Sequence, residues 1–218
     1  MSQNKTAAII PFYNESSTIK EIVESTLKYV DCVIAVDDGS IDNSVSQISG
    51  IQNVFLITIE NNKGKGFALQ KGFQKAIELN VQYVISIDAD LQHPTELVPS
   101  LIKELDKSDI VIGNRMYDTS TMPLQRIMSN KITSFILSKK TKQFIPDSQC
   151  GFRAYNVKVL KNVTTTLNGY EAESEILIFA GRKGFKIGNY PIPTIYNESK
   201  SKMNPFKAIF GFIRVIFI

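Results

Sequence analysis

The sequence predicts an α/β fold: a mostly parallel central sheet flanked by helices on both faces. Three observations lead there. Short, almost wholly apolar runs recur with little polar alternation, the pattern of strands buried on both faces. Longer segments between them carry apolar residues at helical spacing. Polar clusters follow four of the apolar runs, as expected where helices cross over between parallel strands and a ligand collects beyond the carboxyl ends.

Taken in order, AAIIPF (7–12), CVIAV (32–36), VFLIT (54–58), YVISI (83–87) and DIVIG (109–113) read as strands. Between the first two, residues 15–30 place Ile19, Ile22, Val23, Leu27 and Val30 near helical spacing, and residues 64–80 repeat the pattern with Phe67, Leu69, Phe73 and Ile77. TELVPSLIKELDK (95–107) is a third helix with Thr95 placed to cap it. Further on, a helix is expected near 122–138, a strand near 150–156, a helix near 171–183 and a strand near 186–192, all on the same sheet. No internal repeat, low-complexity tract or linker divides the chain, so residues 1–204 are expected to form one catalytic domain, with 205–218 as an apolar and basic C-terminal helix.

Apolar residues at 43% and charged residues at 21% exclude a disordered or fibrous chain, and 218 residues suffice for one large core. No apolar stretch has the roughly 18–20 uninterrupted residues of a membrane span, and MSQNKTAA lacks the layout of a signal peptide, so a cytoplasmic location is expected. Cys32 and Cys150 are too few for a disulfide framework or a structural zinc site. The net charge of +4 is uneven. From Arg182 onward seven bases face one acid, 7 − 1 = +6, which leaves 4 − 6 = −2 for the rest. A basic end of this kind meets something anionic.

The chemistry concentrates in SIDADLQHPTEL (86–97). Asp88 and Asp90 stand one residue apart where an apolar run stops, and two such carboxylates repel unless a cation lies between them. Hard oxygen ligands suit Mg²⁺ or Mn²⁺, which take one or two protein carboxylates and complete their shell with phosphate oxygens. Asp88, Asp90 and the Gln92 amide would then hold an ion that carries a diphosphate; the competing reading is a pair of acids capping the next turn. VDDGS (36–40) offers Asp37 and Asp38 to ribose hydroxyls or a base edge, although a solvated turn uses the same letters.

Two familiar phosphate motifs are missing. In NKGKGFALQKG the third glycine of G-x-G-x-x-G would fall on Leu69, and no G-x-x-x-x-G-K-[ST] occurs, which disfavours dinucleotide-dependent dehydrogenases and P-loop NTPases. Lys63 and Lys65 with their glycines instead mark a flexible helix start near the nucleotide. Arg115, Arg126, Arg153, Lys200 and Lys202 together point to anions, although each alone could be a solvated base.

Seven motifs in order, IPFYNE (10–15), VDDGS, NKGKGFALQKG (62–72), DADLQHP (88–94), GNR (113–115), DSQCGFR (147–153) and SKMNP (201–205), resemble the family 2 glycosyltransferases of GT-A fold over about the whole chain. Within them the chain is most similar to the polyprenyl-phosphate sugar synthases; DADLQHP is similar to the mannosyl branch and DSQCGFR to the glucosyl branch. The resemblance implies a GT-A-type nucleotide-diphospho-sugar transferase fold. It implies a nucleotide pocket lined by Pro11, Tyr13, Glu15, Asp37 and Asp38, and a metal on Asp88, Asp90 and Gln92. Arg115 and Arg126 would meet the acceptor phosphate or donor diphosphate, with Ser201 and Lys202 closing over the site.

The implied reaction is inverting transfer of a hexose from a nucleotide sugar of GDP-mannose or UDP-glucose type to a polyprenyl (dolichyl or undecaprenyl) phosphate. That phosphate is already ionised near pH 7, so no strong base is obligatory. If one is used, Glu173 is the candidate; otherwise Glu173 is an acid favoured at a helix N-terminus. His93 reads as a turn residue or a support for the ligands. The tail NPFKAIFGFIRVIFI places Lys207 and Arg214 on one face of a helix that could lie at a membrane interface, pack on the core or self-associate. Peripheral contact with the cytoplasmic face of a membrane is expected, and nucleic acid is not an expected partner. The alternatives are transfer to a glycan or small molecule, a sugar-phosphate nucleotidyltransferase, disfavoured by YNESSTIK after the first strand, and a non-catalytic nucleotide-binding adaptor at the membrane surface.

Overall fold

A computed structural model describes residues 5–195 and 213–217. Seven strands form one sheet: β1 (Thr6–Phe12), β2 (Cys32–Asp37), β3 (Val54–Thr58), β4 (Tyr83–Ser86), β5 (Ile110–Asn114), β6 (Arg153–Asn156) and β7 (Ile187–Pro191). Their spatial order is β3-β2-β1-β4-β6-β5-β7. Every pairing is parallel except those of β6, which runs antiparallel to both β4 and β5. The helices are α1 (Ile19–Leu27), α2 (Ser44–Ile48), α3 (Lys65–Glu78), α4 (Val98–Glu104), α5 (Leu124–Thr141), α6 (Val157–Asn162) and α7 (Ala172–Arg182).

The central strands are apolar on both faces because helices cover both. Ala7 through Ile10 of β1 and Val33 through Val36 of β2 have no exposed surface, and each fully buried aliphatic side chain of this size contributes about 1.5–3 kcal/mol. Pro11 stands in a central strand without breaking it. Pairing with β4 stops at Ile9↔Ser86, so the position lacking an N–H lies past the last β4 partner. That early end of β4 also opens the sheet where Asp88 follows.

Two expectations need correction. β3 is not buried on both faces: it is an edge strand paired only to β2, and Phe55 and Leu56 remain 37% exposed. Thr95 does not cap a helix through its side chain. It opens a 3-10 turn, Thr95–Leu97, behind Pro94, and α4 begins only at Val98. The two short helices α2 and α6 were not legible, being too brief for a periodic pattern.

The antiparallel β6 has a consequence for function. Its register sets Arg153 opposite Ser86, so residues 147–152, which lead into it, lie at the carboxyl ends of β4 and β5, beside Asp88. Loops following β1, β2, β4 and β5 meet at the same end. Among the described residues no helix is long and apolar enough to cross a membrane.

Candidate active site

At the end of β4, Asp88 is held by a buried lysine. Lys65, the first residue of α3, lies 2.6 Å from Asp88 Oδ1 and 2.8 Å from Glu173 Oε2, so one ammonium bridges an acid from the sheet and an acid from the first turn of α7. His93 is buried, its ring stacked 5.5 Å from that of Phe152, with Nε2 3.5 Å from Asp88 Oδ2. Burial alone would raise the Asp88 pKa, but Lys65, with His93 adding to it, outweighs burial and holds the carboxyl well below the usual range. The same two acids push the Lys65 ammonium up against its own burial.

Asp90 behaves oppositely. Burial, and then repulsion from Asp88, raise its pKa, with only partial relief from His93, the Gln92 N–H and Lys65. That N–H donates to Asp90 Oδ1 at 3.1 Å across Leu91, which sits at φ 59°, a left-handed conformation uncommon for a leucine. The turn folds Gln92 back toward the acids. Asp88, Asp90 and Glu173 thus cluster near Lys65, His93 and Arg153, and Asp90 is the acid whose ionisation the surroundings disfavour. Among the described residues no three His, Cys, Asp or Glu side chains form a metal-binding cluster. The donor set nevertheless fits Mg²⁺ or Mn²⁺: two carboxylates and an amide, with the rest of the shell left to phosphate or water.

Gly151 closes the site from the β6 side. A Cβ there would lie 2.3 Å from Asp88 Oδ2 and 2.8 Å from Lys65 Nζ, so only glycine lets the backbone approach the ion pair. The glycines of the α3 start do similar work, which corrects the expectation of flexibility. A Cβ on Gly64 would meet Asn168 O at 2.5 Å and one on Gly66 would meet Ala172 Cβ at 2.4 Å, so they permit tight packing against the α7 entry that aims Lys65 at Glu173.

Arg115 follows β5 and makes a two-point pair with Asp147, Nε to Oδ2 at 2.8 Å and Nη2 to Oδ1 at 3.0 Å. Asp147 is fully buried and also accepts from the Arg115 and Gln149 amides and from Asn130 Nδ2 of α5 at 2.7 Å. Burial would raise its pKa, yet Arg115 and Asn130 hold it below the ordinary value. Asp88 lies close enough to act electrostatically on Arg115. Arg126 is exposed in the first turn of α5.

Other expected residues take structural duties. Arg153 is not available to an anion: it is buried and donates to the carbonyls of Cys150, Glu173 and Ser148. Glu173, the expected base, is a buried partner of Lys65, with Arg153 Nε 3.6 Å away. Asp37 shapes its own turn by accepting from Ser40 N at 2.9 Å, and Asp38 ties down the next loop by accepting from the Lys63 and Gly64 amides. Pro11, Tyr13 and Glu15 close β1 next to them; Asn14 N and Glu15 N donate to Ser40 Oγ and Ser44 Oγ, which joins the two loops into one wall. Ser201 and Lys202 lie outside the described residues, as does most of the expected C-terminal helix.

Asp147, Asn130, Gly151 and Glu175 were not singled out from the sequence. Glu175 is buried and accepts from Thr165 Oγ1, Thr166 N, Thr166 Oγ1 and Leu167 N, which fixes the loop ahead of α7. For Asp147 the signal was there to find: an acid in DSQCGFR among residues already read as a motif.

Known proteins resemble this chain in sequence and in fold. Residues 7–164 match the family described as Glycosyl transferase family 2. A UDP-N-acetylglucosamine–dolichyl-phosphate N-acetylglucosaminyltransferase of Methanococcus voltae is 34% identical over 214 residues, spanning 87% of this chain and 85% of that protein. An undecaprenyl-phosphate 4-deoxy-4-formamido-L-arabinose transferase of Proteus mirabilis is 31% identical over 72% of this chain and 50% of that protein. Among solved structures, glucosyl-3-phosphoglycerate synthase of Mycobacterium tuberculosis, in complex with Mn²⁺, UDP and glucosyl-3-phosphoglycerate, shares the fold with a TM-score of 0.76 at 17% identity, covering 99% of this chain and 78% of that one. With acids at the end of β4 and the matched region running through the strands that carry them, the chain belongs to glycosyl transferase family 2 and is a glycosyltransferase of GT-A fold.

Proposed function

We propose that this enzyme moves a sugar from a UDP-linked donor to the phosphate of a polyprenyl phosphate. The observation that carries the reading is the acid pair at the end of β4, Asp88 and Asp90, held close enough to repel one another, with Asp88 also acting electrostatically on Arg115 of the Arg115–Asp147 pair. The names of the M. voltae and P. mirabilis relatives support a lipid-phosphate acceptor and a nitrogen-bearing sugar. They favour a uridine nucleotide and an amino sugar over the GDP-mannose or UDP-glucose expected from the motifs.

In this reading Asp88, Asp90 and the Gln92 amide hold a divalent cation, Mg²⁺ or Mn²⁺, which when bound neutralises charge on the departing diphosphate. Lys65 and His93 fix the Asp88 carboxylate, and Gly151 lets the loop before β6 close on it. The walls made by Pro11, Tyr13, Glu15, Asp37 and Asp38 receive the nucleoside. Arg115, with its Nε edge engaged by Asp147, presents its Nη1 edge to an incoming phosphate, and Arg126 adds charge from α5. An acceptor phosphate oxygen attacks the anomeric carbon; the new C–O bond forms as the bond to the nucleoside diphosphate breaks on the opposite face, and the configuration inverts. An ionised phosphate needs no base, which agrees with Glu173 serving as an ion-pair partner.

The test is a panel of UDP-N-acetylglucosamine, UDP-glucose and GDP-mannose, each with polyprenyl phosphate, in Mn²⁺ or in EDTA, with products detected by mass. A lipid-linked amino sugar formed only with UDP donor and cation is the expected product. Transfer from GDP-mannose alone, or equal transfer in EDTA, would refute the reading.

A further inference from the structure

We propose that α5 is a membrane-docking helix that lays its outer face into an anionic lipid interface. The helix is inverted relative to an ordinary surface helix. Its buried positions are Asn130, Ser134, Leu137 and Thr141, three of them polar, while Leu124, Met128, Ile132 and Phe135 are between 56% and 69% exposed. These four fall at i, i+4, i+8 and i+11, a single stripe on the opposite side of the helix. The inward polar face is satisfied: Asn130 donates to Asp147, Ser134 Oγ donates to Asn130 Oδ1, and Ser148 N donates to Ser134 Oγ. Among the described residues nothing covers the outward apolar one. Such a stripe costs solubility unless something covers it.

Charge selects the occupant. Between Asp118 and Asp147 there is no acidic residue, and Arg126, Lys131, Lys139, Lys140 and Lys142 give +5. Lys131 and Lys139 are exposed beside the stripe, and the Lys139 ammonium lies 5.6 Å from the Phe135 ring centroid, with its apolar stem available to the interface and its charge at headgroup depth. Beyond the helix, 76%-exposed Phe144 and Phe135 flank a surface depression of about 440 Å³ rimmed by Lys139 and Lys142. A two-fold contact between copies would press these bases against one another, which disfavours a second chain as the cover. Anionic headgroups above acyl chains match both the charge and the stripe. The inward side of the same helix carries Asn130, which holds Asp147 and through it Arg115, so docking would set the phosphate clamp at a fixed height above the lipid. The inference deepens the lipid-acceptor reading, although vesicle binding itself requires no donor chemistry.

Co-sedimentation of the full chain with phosphatidylcholine vesicles, with and without phosphatidylglycerol, tests it. Wild type should favour the anionic vesicles. Ile132→Asp combined with Phe135→Asp should lower partitioning at least tenfold while leaving the melting temperature unchanged, because both side chains are exposed. Lys131→Gln with Lys139→Gln should lower binding to anionic vesicles about fivefold per lysine and leave the weaker zwitterionic binding unchanged. Equal binding by all three proteins would overturn the assignment, as would an apolar variant that turns a wild-type dimer into a monomer. Transfer to a detergent-dispersed short-chain prenyl phosphate separates the two readings. If it proceeds in wild type and variants alike while no protein binds vesicles, α5 docking fails alone; if vesicles bind but no lipid phosphate is ever glycosylated, the acceptor reading fails alone.

Discussion

Replacing Lys65 by methionine keeps the length of the side chain and removes the charge that joins Asp88 to Glu173. Each contact is short, 2.6 and 2.8 Å, and at an effective dielectric constant near 20 the attraction in each is about 6 kcal/mol. Most of that is offset by the cost of desolvating the ammonium, which is only 13% exposed. What the variant loses is therefore the figure for leaving a buried charge without its partner, about 3–5 kcal/mol. The 30% exposure of the Asp88 side chain, and the Arg153 guanidinium near Glu173, set the expectation at the lower end, about 3 kcal/mol. For a chain of this size that corresponds to a melting temperature lower by roughly 6–12 °C.

The pH dependence supplies the sharper check. In the wild type Asp88 is held below its unfolded value, so its contribution is present above about pH 4 and lost as pH falls below that. In the variant burial dominates and the folded value rises above the unfolded one, so Asp88 now costs stability at neutral pH and regains it on acidification. Urea denaturation of both proteins between pH 7 and pH 4 should show the gap narrowing as pH falls. A loss below about 1 kcal/mol at pH 7, or a gap that widens with acid, would show that Lys65 does not compensate these acids.

Asp90→Ala should leave the fold intact, and even stabilise it at pH 7, because burial and Asp88 both disfavour its charge; the same change should remove the Mn²⁺-dependent thermal shift given by UDP. Gly151→Ala forces a Cβ to 2.3 Å from Asp88 Oδ2, and steady-state assays should show transfer reduced at least tenfold, with stability lower by about 1–3 kcal/mol in urea. Arg115→Lys replaces a two-point pair by a point charge beside a fully buried acid. It should cost about 1–3 kcal/mol at pH 7, an effect that fades below about pH 4 as Asp147 protonates in both folded and unfolded chains. The Cys150 thiol, pushed up to about 12 by burial, should resist an aromatic disulfide reagent at pH 8 until urea is added; its proton is held more tightly in the folded chain, so stability should fall as pH climbs from about 8.5 toward 12.

The sheet was legible because apolar runs such as AAIIPF and CVIAV can only be strands buried under helices, and each occupies the place expected. The edge character of VFLIT was hidden for the same reason: a run of apolar residues does not state how many neighbours its strand will have. The site was legible where two like charges stood together, since Asp88 and Asp90 demand compensation wherever they sit. Its compensation was not. Lys65 and Glu173 are distant from Asp88 in sequence, and nothing local says that an antiparallel strand will bring Gly151 against the Lys65–Asp88 pair. Arg153 and Arg115 show the limit from the other side. Both read as anion binders, yet one is enclosed by backbone carbonyls and the other shares its fork with Asp147, because a buried guanidinium must satisfy its donors inside the fold before it can meet a ligand.

The two acids of DADLQH therefore differ in kind, although the sequence writes them alike. Asp88 belongs to the scaffold's charge balance, held in place by Lys65 and His93 before any ligand arrives. Asp90 is the acid whose charge the fold disfavours, desolvated and repelled by Asp88, on a turn held in a left-handed conformation at Leu91. Strain and a disfavoured charge at one point reduce stability, and a position that only reduced stability would be free to lose its carboxylate. The charge becomes useful when a cation and a diphosphate arrive together, since binding then removes the repulsion between Asp88 and Asp90. On this reasoning affinity for the cation should depend on the nucleotide, with Mn²⁺ and UDP each binding more tightly in the presence of the other. Calorimetric titrations giving independent affinities would place the Asp90 carboxylate outside the reaction.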